Sequence, residues 1–287
     1  MIITTTQSSD DYQLLDSGDS EKLERYGQIT ISRPDPQALW PKKLSHGEWQ
    51  KADAFFNRSS TDASWQTRHK IPDDWTIQFD DLQFLIKLSA FKHTGIFPEN
   101  QPQWQWMREK ITQAKRPISV LNLFGYTGGA TLACAQAGAN VCHVDGSKVA
   151  INWARENAKL SQLENKPIRW IVDDARAFVK REIKRDRKYD AIIMDPPAFG
   201  HGPERELWKI EDNLLPLLID CQKILSDKPL FFLINGYAAG YSAIAYANNL
   251  KYLFGEQGKL EIGEVTIAHA KDNRLLPCGI FARWSSD

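Results

Sequence analysis

From residue 118 onward the apolar positions fall into two alternating patterns. Short continuous runs, "ISVLNLF" (118–124), "NVCHVD" (140–145), "IRWIVDD" (168–174), "YDAIIMD" (189–195) and "PLFFLIN" (229–235), read as strands buried on both faces. Between them lie stretches of helical spacing: "GGATLACAQAG" ending at Gly138, "SKVAINWARENAKL" with Ser147 as N-cap, and "ARAFVKREIK" (175–184). "LWKIEDNLLPLLIDCQKIL" (207–225), bent at Pro216, and "YSAIAYANNLKYLF" (241–254) follow the same rule. Two further strands, "GEVTIAHA" and "CGIFARW", close the chain with no helix between them, so one of this last pair runs antiparallel. Strand alternating with helix predicts an α/β fold whose sheet of seven strands is mostly parallel and covered on both faces.

Upstream of residue 115 the pattern changes. Short extended pieces, "YQLLD", "QITISRP" and "WTIQFDDLQFLIKL", are broken by Pro, Asp and Gly turns, and six of the ten Trp lie there. The chain therefore divides into a β-rich extension, residues 1–112, and a larger domain, residues 113–287.

Composition narrows the field. Apolar residues make up 42% and charged residues 25%, as in an ordinary globular chain. Lys plus Arg and Asp plus Glu are both 36, which argues against a strongly basic nucleic-acid binder but leaves room for a local patch. The run "KREIKRDRK" (180–188), six basic residues and two acidic, is such a patch: a solvated helix face on one reading, an RNA contact on the other. Four Cys without CxxC spacing read as reduced thiols, and the six His show no metal-ligand spacing, so no metal is expected. No window approaches a membrane span, and "MIITTTQSSDDYQLLDSGDSEK" is no signal peptide. The expectation is a cytoplasmic protein with no membrane partner.

The chemistry gathers at the strand ends, where ligands bind in such sheets. The first strand ends in "NLFGYTGGA" (122–130), whose Gly125, Gly128 and Gly129 allow a tight turn with open backbone. Asp145 ends the second strand, 20 residues after Gly125, where a carboxylate accepts both hydroxyl hydrogens of a ribose. Asp173 and Asp174 end the third, and one of them is placed to accept from an adenine amino group. Asp195 ends the fourth. Thr127 breaks the GxGxxG dinucleotide pattern, and the GK[ST] of a P-loop is absent. A nucleoside ligand without pyrophosphate fits better, and S-adenosylmethionine is such a ligand.

These segments, "FKHTGIFPENQ", "VLNLFGYTGGATLACAQAGA", "VDGSKVAINWARENA", "IVDDARAFV" and "IIMDPPAFGHGP", cover residues 91–203. In order and spacing they resemble the class I S-adenosylmethionine-dependent methyltransferases, and more narrowly the branch of bacterial large-subunit rRNA methyltransferases. The resemblance implies a Rossmann-like methyltransferase sheet, with the N-terminal piece as a small β-rich extension. It places Phe124, Gly125, Tyr126, Thr127 and Gly128 against the methionine moiety, Asp145 with Gly146 and Ser147 at the ribose, and Asp173, Asp174 and Ala175 at the adenine. Thr94, Gly95 and Phe97 would lie over the cofactor, within residues 91–112. Asn122 stands where the family often has Asp, and "FPEN" replaces a basic stretch of the rRNA enzymes.

Asp195 with Pro196 and Pro197 ends its strand, because prolines donate nothing to a sheet ladder. An amine on an aromatic ring is a poor nucleophile until its hydrogens are held by acceptors. The Asp195 carboxylate and a rigid backbone carbonyl would be those acceptors, and Phe199 would stack on a flipped base. No Cys stands in this loop or after the fifth strand, "FFLINGYAAG", so nitrogen rather than cytosine C5 is the expected target. The function read from the chain is an S-adenosylmethionine-dependent methyltransferase of an RNA base. Methylation of a small molecule or a protein, and a non-catalytic cofactor-binding protein, are the alternatives.

Overall fold

The computed structural model describes residues 1–58, 63–89, 92–204, 206–237 and 240–286. Phe91 of "FKHTGIFPENQ" and Ala238 and Ala239 of "FFLINGYAAG" lie outside the described residues. The chain forms two compact units. One comprises Met1–Thr4, Asn100–Val265 and Gly279–Asp287, the other Thr5–Glu99 and Thr266–Cys278.

In chain order the elements begin with β1 (Ile2–Thr6), β2 (Tyr12–Gly18), β3 (Glu21–Tyr26), β4 (Ile29–Pro34) and the short α1 (His46–Trp49). Then come β5 (Ala54–Arg58), β6 (Ala63–Thr67), β7 (Asp74–Phe79) and β8 (Leu82–Lys87). Strands β2 to β6 form a five-stranded sheet in sequence order, and β7 pairs with β8 as a hairpin. The core of this unit is polar at its centre. Glu24, fully buried, accepts from Tyr12 at 2.8 Å, from Tyr26 at 3.0 Å and from Arg33 at 2.7 and 3.1 Å. A buried carboxylate survives there because both of its oxygens accept from donors and Arg33 pairs with its charge.

The other unit is the alternating α/β body. Its elements are α2 (Gln101–Gln113), β9 (Ser119–Leu123), α3 (Gly129–Gln136), β10 (Asn140–Asp145), α4 (Lys148–Leu160), β11 (Ile168–Val172), α5 (Ala175–Lys184) and β12 (Ala191–Met194). They continue as β13 (Phe199–His201), β14 (Leu207–Lys209), α6 (Ile210–Lys223), β15 (Phe231–Gly236), α7 (Ala243–Phe254), β16 (Lys259–Ala268) and β17 (Leu275–Ser285). The central sheet has the order β1-β16-β17-β15-β12-β9-β10-β11. Strands β11, β10, β9, β12 and β15 pair in parallel, and β17 pairs antiparallel to β15. Every residue of β12 and β15 is buried, as continuous apolar runs in a doubly covered sheet require. The sheet carries one strand more than the seven expected, because β1 joins its edge.

The chain leaves β9 toward β10 and β11, then returns to place β12 on the other flank of β9. This reversal is a topological switch point, which opens a crevice at the carboxyl ends of the strands. The local signals that deliver side chains there are those of the sequence. Ser147 caps α4 by accepting from Ala150 N at 3.2 Å, and Asp174 caps α5 by accepting from Ala177 N at 2.9 Å. The expected helix over 207–225 is shorter: Leu207–Lys209 pair antiparallel with Phe199–His201, and the helix starts at Ile210. Two bonds impose this. The Trp208 indole N–H donates to the Pro197 carbonyl at 2.6 Å, and Ile210 N donates to the Ala198 carbonyl at 3.0 Å.

Candidate active site

A cavity of about 300 Å³ opens at the switch point. The ends of all four strands named from the sequence line it: Phe124 and Tyr126 after β9, Asp145 with Gly146 and Ser147 after β10, Asp173 with Asp174 and Ala175 after β11, and Asp195 with Pro197 after β12. The β13–β14 hairpin closes one wall with Gly200, His201, Gly202 and Trp208.

The turn after β9 is held in a conformation the chain does not adopt freely. Phe124 (φ 57°), Tyr126 (φ 48°) and Gly128 (φ 92°) all lie in the left-handed region. Asp145 fixes the turn from one side: its carboxylate accepts from Tyr126 N and from Ser147 N, both at 2.8 Å. Asn157 of α4 fixes it from another, donating to the Thr127 carbonyl at 2.9 Å. Beneath it lies the His143 ring, so close to Gly125 that a Cβ there would come within 2.4 Å of the imidazole. Only glycine fits that approach.

His143 ends a buried relay. The Asn122 amide donates to Thr131 Oγ1 at 2.9 Å, and that hydroxyl lies 2.8 Å from His143 Nδ1. The hydroxyl has a second lone pair and one proton, so it serves the His143 Nδ1 in either tautomer of the neutral ring. Burial pushes the His143 pKa down to about 3, so neutrality holds at every physiological pH. Asn122 is thus buried within the relay and is absent from the cavity lining.

Electrostatics mark the acids apart. Burial pushes the Asp145 carboxyl up, against the pull of the two backbone donors from Ser147 and Tyr126. Asp174, besides capping α5, pairs with Arg176 at 3.1 and 3.3 Å. Asp173 pairs with Arg181, and its backbone N–H donates to the Asp145 carbonyl at 3.0 Å. Arg176 also donates to Asn213 Oδ1 at 2.9 Å and lies 5.8 Å from the Trp208 ring. Trp208, almost fully buried, packs edge-on against Phe124 at 5.0 Å. Near Asp195, the Tyr246 hydroxyl is pushed up to about 12, first by burial and then by the Asp195 charge.

The remaining sequence candidates separate. Pro196 and Thr127 are buried behind the lining, and Gly125 and Gly128 supply turn backbone. Phe199 stands outside the lining, 58% exposed, edge-on to His201 at 5.4 Å. Thr94, Gly95 and Phe97 belong to the other unit, where Thr94 is fully buried and Phe97 meets His93 edge-on at 5.3 Å. The sequence reading named His201 only as a candidate beside its motif, and it missed Trp208, Gly202 and Arg176. Trp208 fell inside a stretch read as helix, whereas Gly202 and Arg176 lie inside quoted motifs to which no role was given at those positions. Among the described residues no group of His, Cys, Asp and Glu is placed to hold a metal, and no helix is long and apolar enough to cross a membrane.

A sheet with a switch point, a turn with left-handed residues after β9, and acids ending the three strands β10, β11 and β12 define a nucleoside-binding α/β protein. The profile of the S-adenosylmethionine-dependent methyltransferases matches residues 51–225, and the chain belongs to that family. It is similar to the crystal structure of the SAM-dependent methyltransferase from Agrobacterium tumefaciens, 38% identical, over 100% of this chain and 94% of that one, with a TM-score of 0.95. A methyltransferase structure from Streptococcus mutans, 18% identical over 96% of this chain and 76% of that one, shares the fold with a TM-score of 0.70. Ribosomal RNA large subunit methyltransferase K/L of Hahella chejuensis is 29% identical over 62% of this chain and 23% of that protein. Ribosomal RNA large subunit methyltransferase K of Neisseria meningitidis serogroup B is 26% identical over 75% of this chain and 63% of that protein. The chain thus spans less than a quarter of the length of that K/L relative. S-adenosylmethionine is the cofactor of the family. The cavity suits it: a half-buried carboxylate opens on it, aromatic walls flank it, and a strained turn lines it with backbone.

Proposed function

We propose that the chain methylates a nitrogen of a ribosomal RNA base. The observation that carries this reading is Asp195, set at the carboxyl end of β12, stiffened by two prolines and opening on the same cavity as Asp145. The names of the K and K/L relatives support the RNA acceptor. The 112/113 boundary read from the sequence belongs to the same proposal, as does a cytoplasmic location, where ribosomal RNA is found.

In this reading Asp145 holds the ribose hydroxyls, with Gly146 and Ser147 beside it. One of Asp173 and Asp174 meets the adenine amino group next to Ala175. The 124–128 turn faces the methionine moiety, and Thr94, Gly95 and Phe97 are assigned to the same ligand by resemblance. When bound, the cofactor supplies a methyl group already activated on a sulfonium.

The protein's part is alignment. Asp195 accepts one hydrogen of the target amine and localises the nitrogen lone pair. A backbone carbonyl of the same proline-stiffened loop accepts the second hydrogen, and the bonds from Trp208 to the Pro197 carbonyl and from Ile210 to the Ala198 carbonyl hold that loop in place. Phe199, exposed on the hairpin, stacks on the extruded base. The test is transfer of labelled methyl groups from S-adenosylmethionine to bulk RNA and, separately, to a protein extract. Label in RNA that disappears with Asp195→Ala supports the proposal. Label confined to protein, or no transfer, favours the protein methyltransferase or the non-catalytic reading.

A further inference from the structure

At the opposite end of the same sheet lies a second and larger concavity, about 820 Å³, at the amino ends of β9, β10, β11 and the segment entering β12. Its floor is apolar: Val141, Cys142 and Tyr189 are each about 2% exposed, and Pro167 and Ile168 complete it. Its rim is cationic. Lys166 and Arg169 stand on one side, Arg187 and Lys188 on the other, with Asp186 the only acid in the lining.

Not all of this charge is available. Arg169 lies 3.7 Å from the buried Glu182 carboxylate. Lys188 lies 3.6 Å from Asp186 and donates to the Lys223 carbonyl at 2.8 Å. Lys166 and Arg187 are exposed and have no ion pair among the described residues. In a chain of zero formal net charge, a groove with an apolar floor and two cations on its rim outside any ion pair is a local departure from the average. That combination suits a ribonucleotide chain, with sugar and base on the floor and phosphates on the rim. The RNA acceptor proposed above favours this ligand over an acidic protein, which the second probe below tests.

We propose that this groove binds the sugar-phosphate backbone of the RNA substrate at a distance from the methylated base; the inference rests on the RNA reading above. β11 is five residues long, so at about 3.3 Å per residue the two openings lie roughly 17 Å apart. A mononucleotide or short oligomer in the catalytic cavity does not reach the groove, whereas a folded ribosomal RNA reaches both. The groove therefore acts on affinity for large RNA and not on the chemistry.

The experiment compares the wild type with the double variant Lys166→Ala/Arg187→Ala and a control, Lys159→Ala/Lys251→Ala, which removes two exposed cations elsewhere. The probe is deproteinised large-subunit ribosomal RNA, titrated across a salt series, with poly-glutamate as a second probe. The groove variant should lose about tenfold or more in RNA affinity at low salt, and its salt slope should fall by about two, one per lost phosphate contact. The control and the affinity for S-adenosylhomocysteine should stay unchanged. Wild-type RNA binding with an unaltered slope in the groove variant, or an equal loss in the control, overturns the proposal. A response of poly-glutamate but not RNA also overturns it and makes the partner an acidic protein. If the wild type binds no RNA, the acceptor reading itself has failed.

Discussion

Replacing Asp145 by Asn separates its two tasks, holding the turn and holding the ribose. The side chain keeps its shape but exchanges one acceptor oxygen for an NH2 group. The Tyr126 N–H, partly buried, and the Ser147 N–H, at the surface, each lie 2.8 Å from one oxygen. The amide should keep its oxygen toward Tyr126 and turn its NH2 toward Ser147, whose donor then bonds to water. Removing a half-buried charge also relieves the desolvation that pushes this carboxyl up. The net stability loss should be about 0.5–1.5 kcal/mol, or about 1–6 °C in Tm for a unit of this size. Cofactor affinity should suffer more. Hydrogen bonds from ribose hydroxyls to a carboxylate are worth about 1.5–3 kcal/mol, so Kd should rise by about 10- to 150-fold. Calorimetric titration with S-adenosylhomocysteine and a thermal melt measure the two effects. The wild-type affinity should also fall as pH drops through the raised Asp145 pKa, and the variant should lose that dependence. A Kd within about twofold of wild type would refute the ribose assignment.

Asp195→Ala should abolish turnover and leave S-adenosylhomocysteine affinity within about threefold, a split of chemistry from binding; retained turnover removes the loop from the mechanism. The four thiols are all buried, and burial pushes each pKa up, that of Cys134 to about 12. RNA carrying 5-fluorocytosine should therefore form no denaturation-resistant adduct, and an adduct mapped to any of the four would contradict a nitrogen target. Acid should destabilise the N-terminal unit in two stages. Burial, then Arg33, Lys92 and Lys22, push the His93 pKa down from 6.5 to about 4, so the unfolded chain takes the proton first and stability falls as pH drops from 6.5 to 4. Burial alone would raise Glu24, but Arg33 and Lys22 outweigh it and hold the carboxyl at about 2, so its contribution is full above 4.5 and fades toward pH 2. Urea midpoints that stay flat from pH 7 to 3 would contradict both assignments.

What the sequence disclosed follows from how local each signal is. Helix α5 matches its expected residues, 175–184, because an N-cap acid, amphipathic spacing and a terminal basic turn all lie within one short window. Asp145 was legible because it ends an apolar run at a diagnostic distance from a glycine. The β13–β14 hairpin was not, because what makes Leu207–Lys209 a strand is the tie from Trp208 to the Pro197 carbonyl eleven residues away. β1 was missed as a member of the central sheet for a similar reason: Thr4 meets the Glu264 carbonyl across 260 residues of chain, and nothing local in "IITTT" names that partner. Asn122 shows the limit of reading a strand end. Its place suggests a ligand contact, but its amide is bonded to Thr131, and only the position of Thr131 on α3 reveals it.

The central claim is that Asp145 and Asp195 serve one site that moves a methyl group to a base nitrogen of ribosomal RNA. It is tested most directly by incubating large-subunit ribosomal RNA with the protein and methyl-labelled S-adenosylmethionine, digesting the RNA to nucleosides, and locating the labelled methyl by mass spectrometry. The account predicts label on a base nitrogen, absent with Asp195→Ala and reduced with Asp145→Asn. Label on a ring carbon or a ribose oxygen, or the same label in the Asp195→Ala variant, would contradict it.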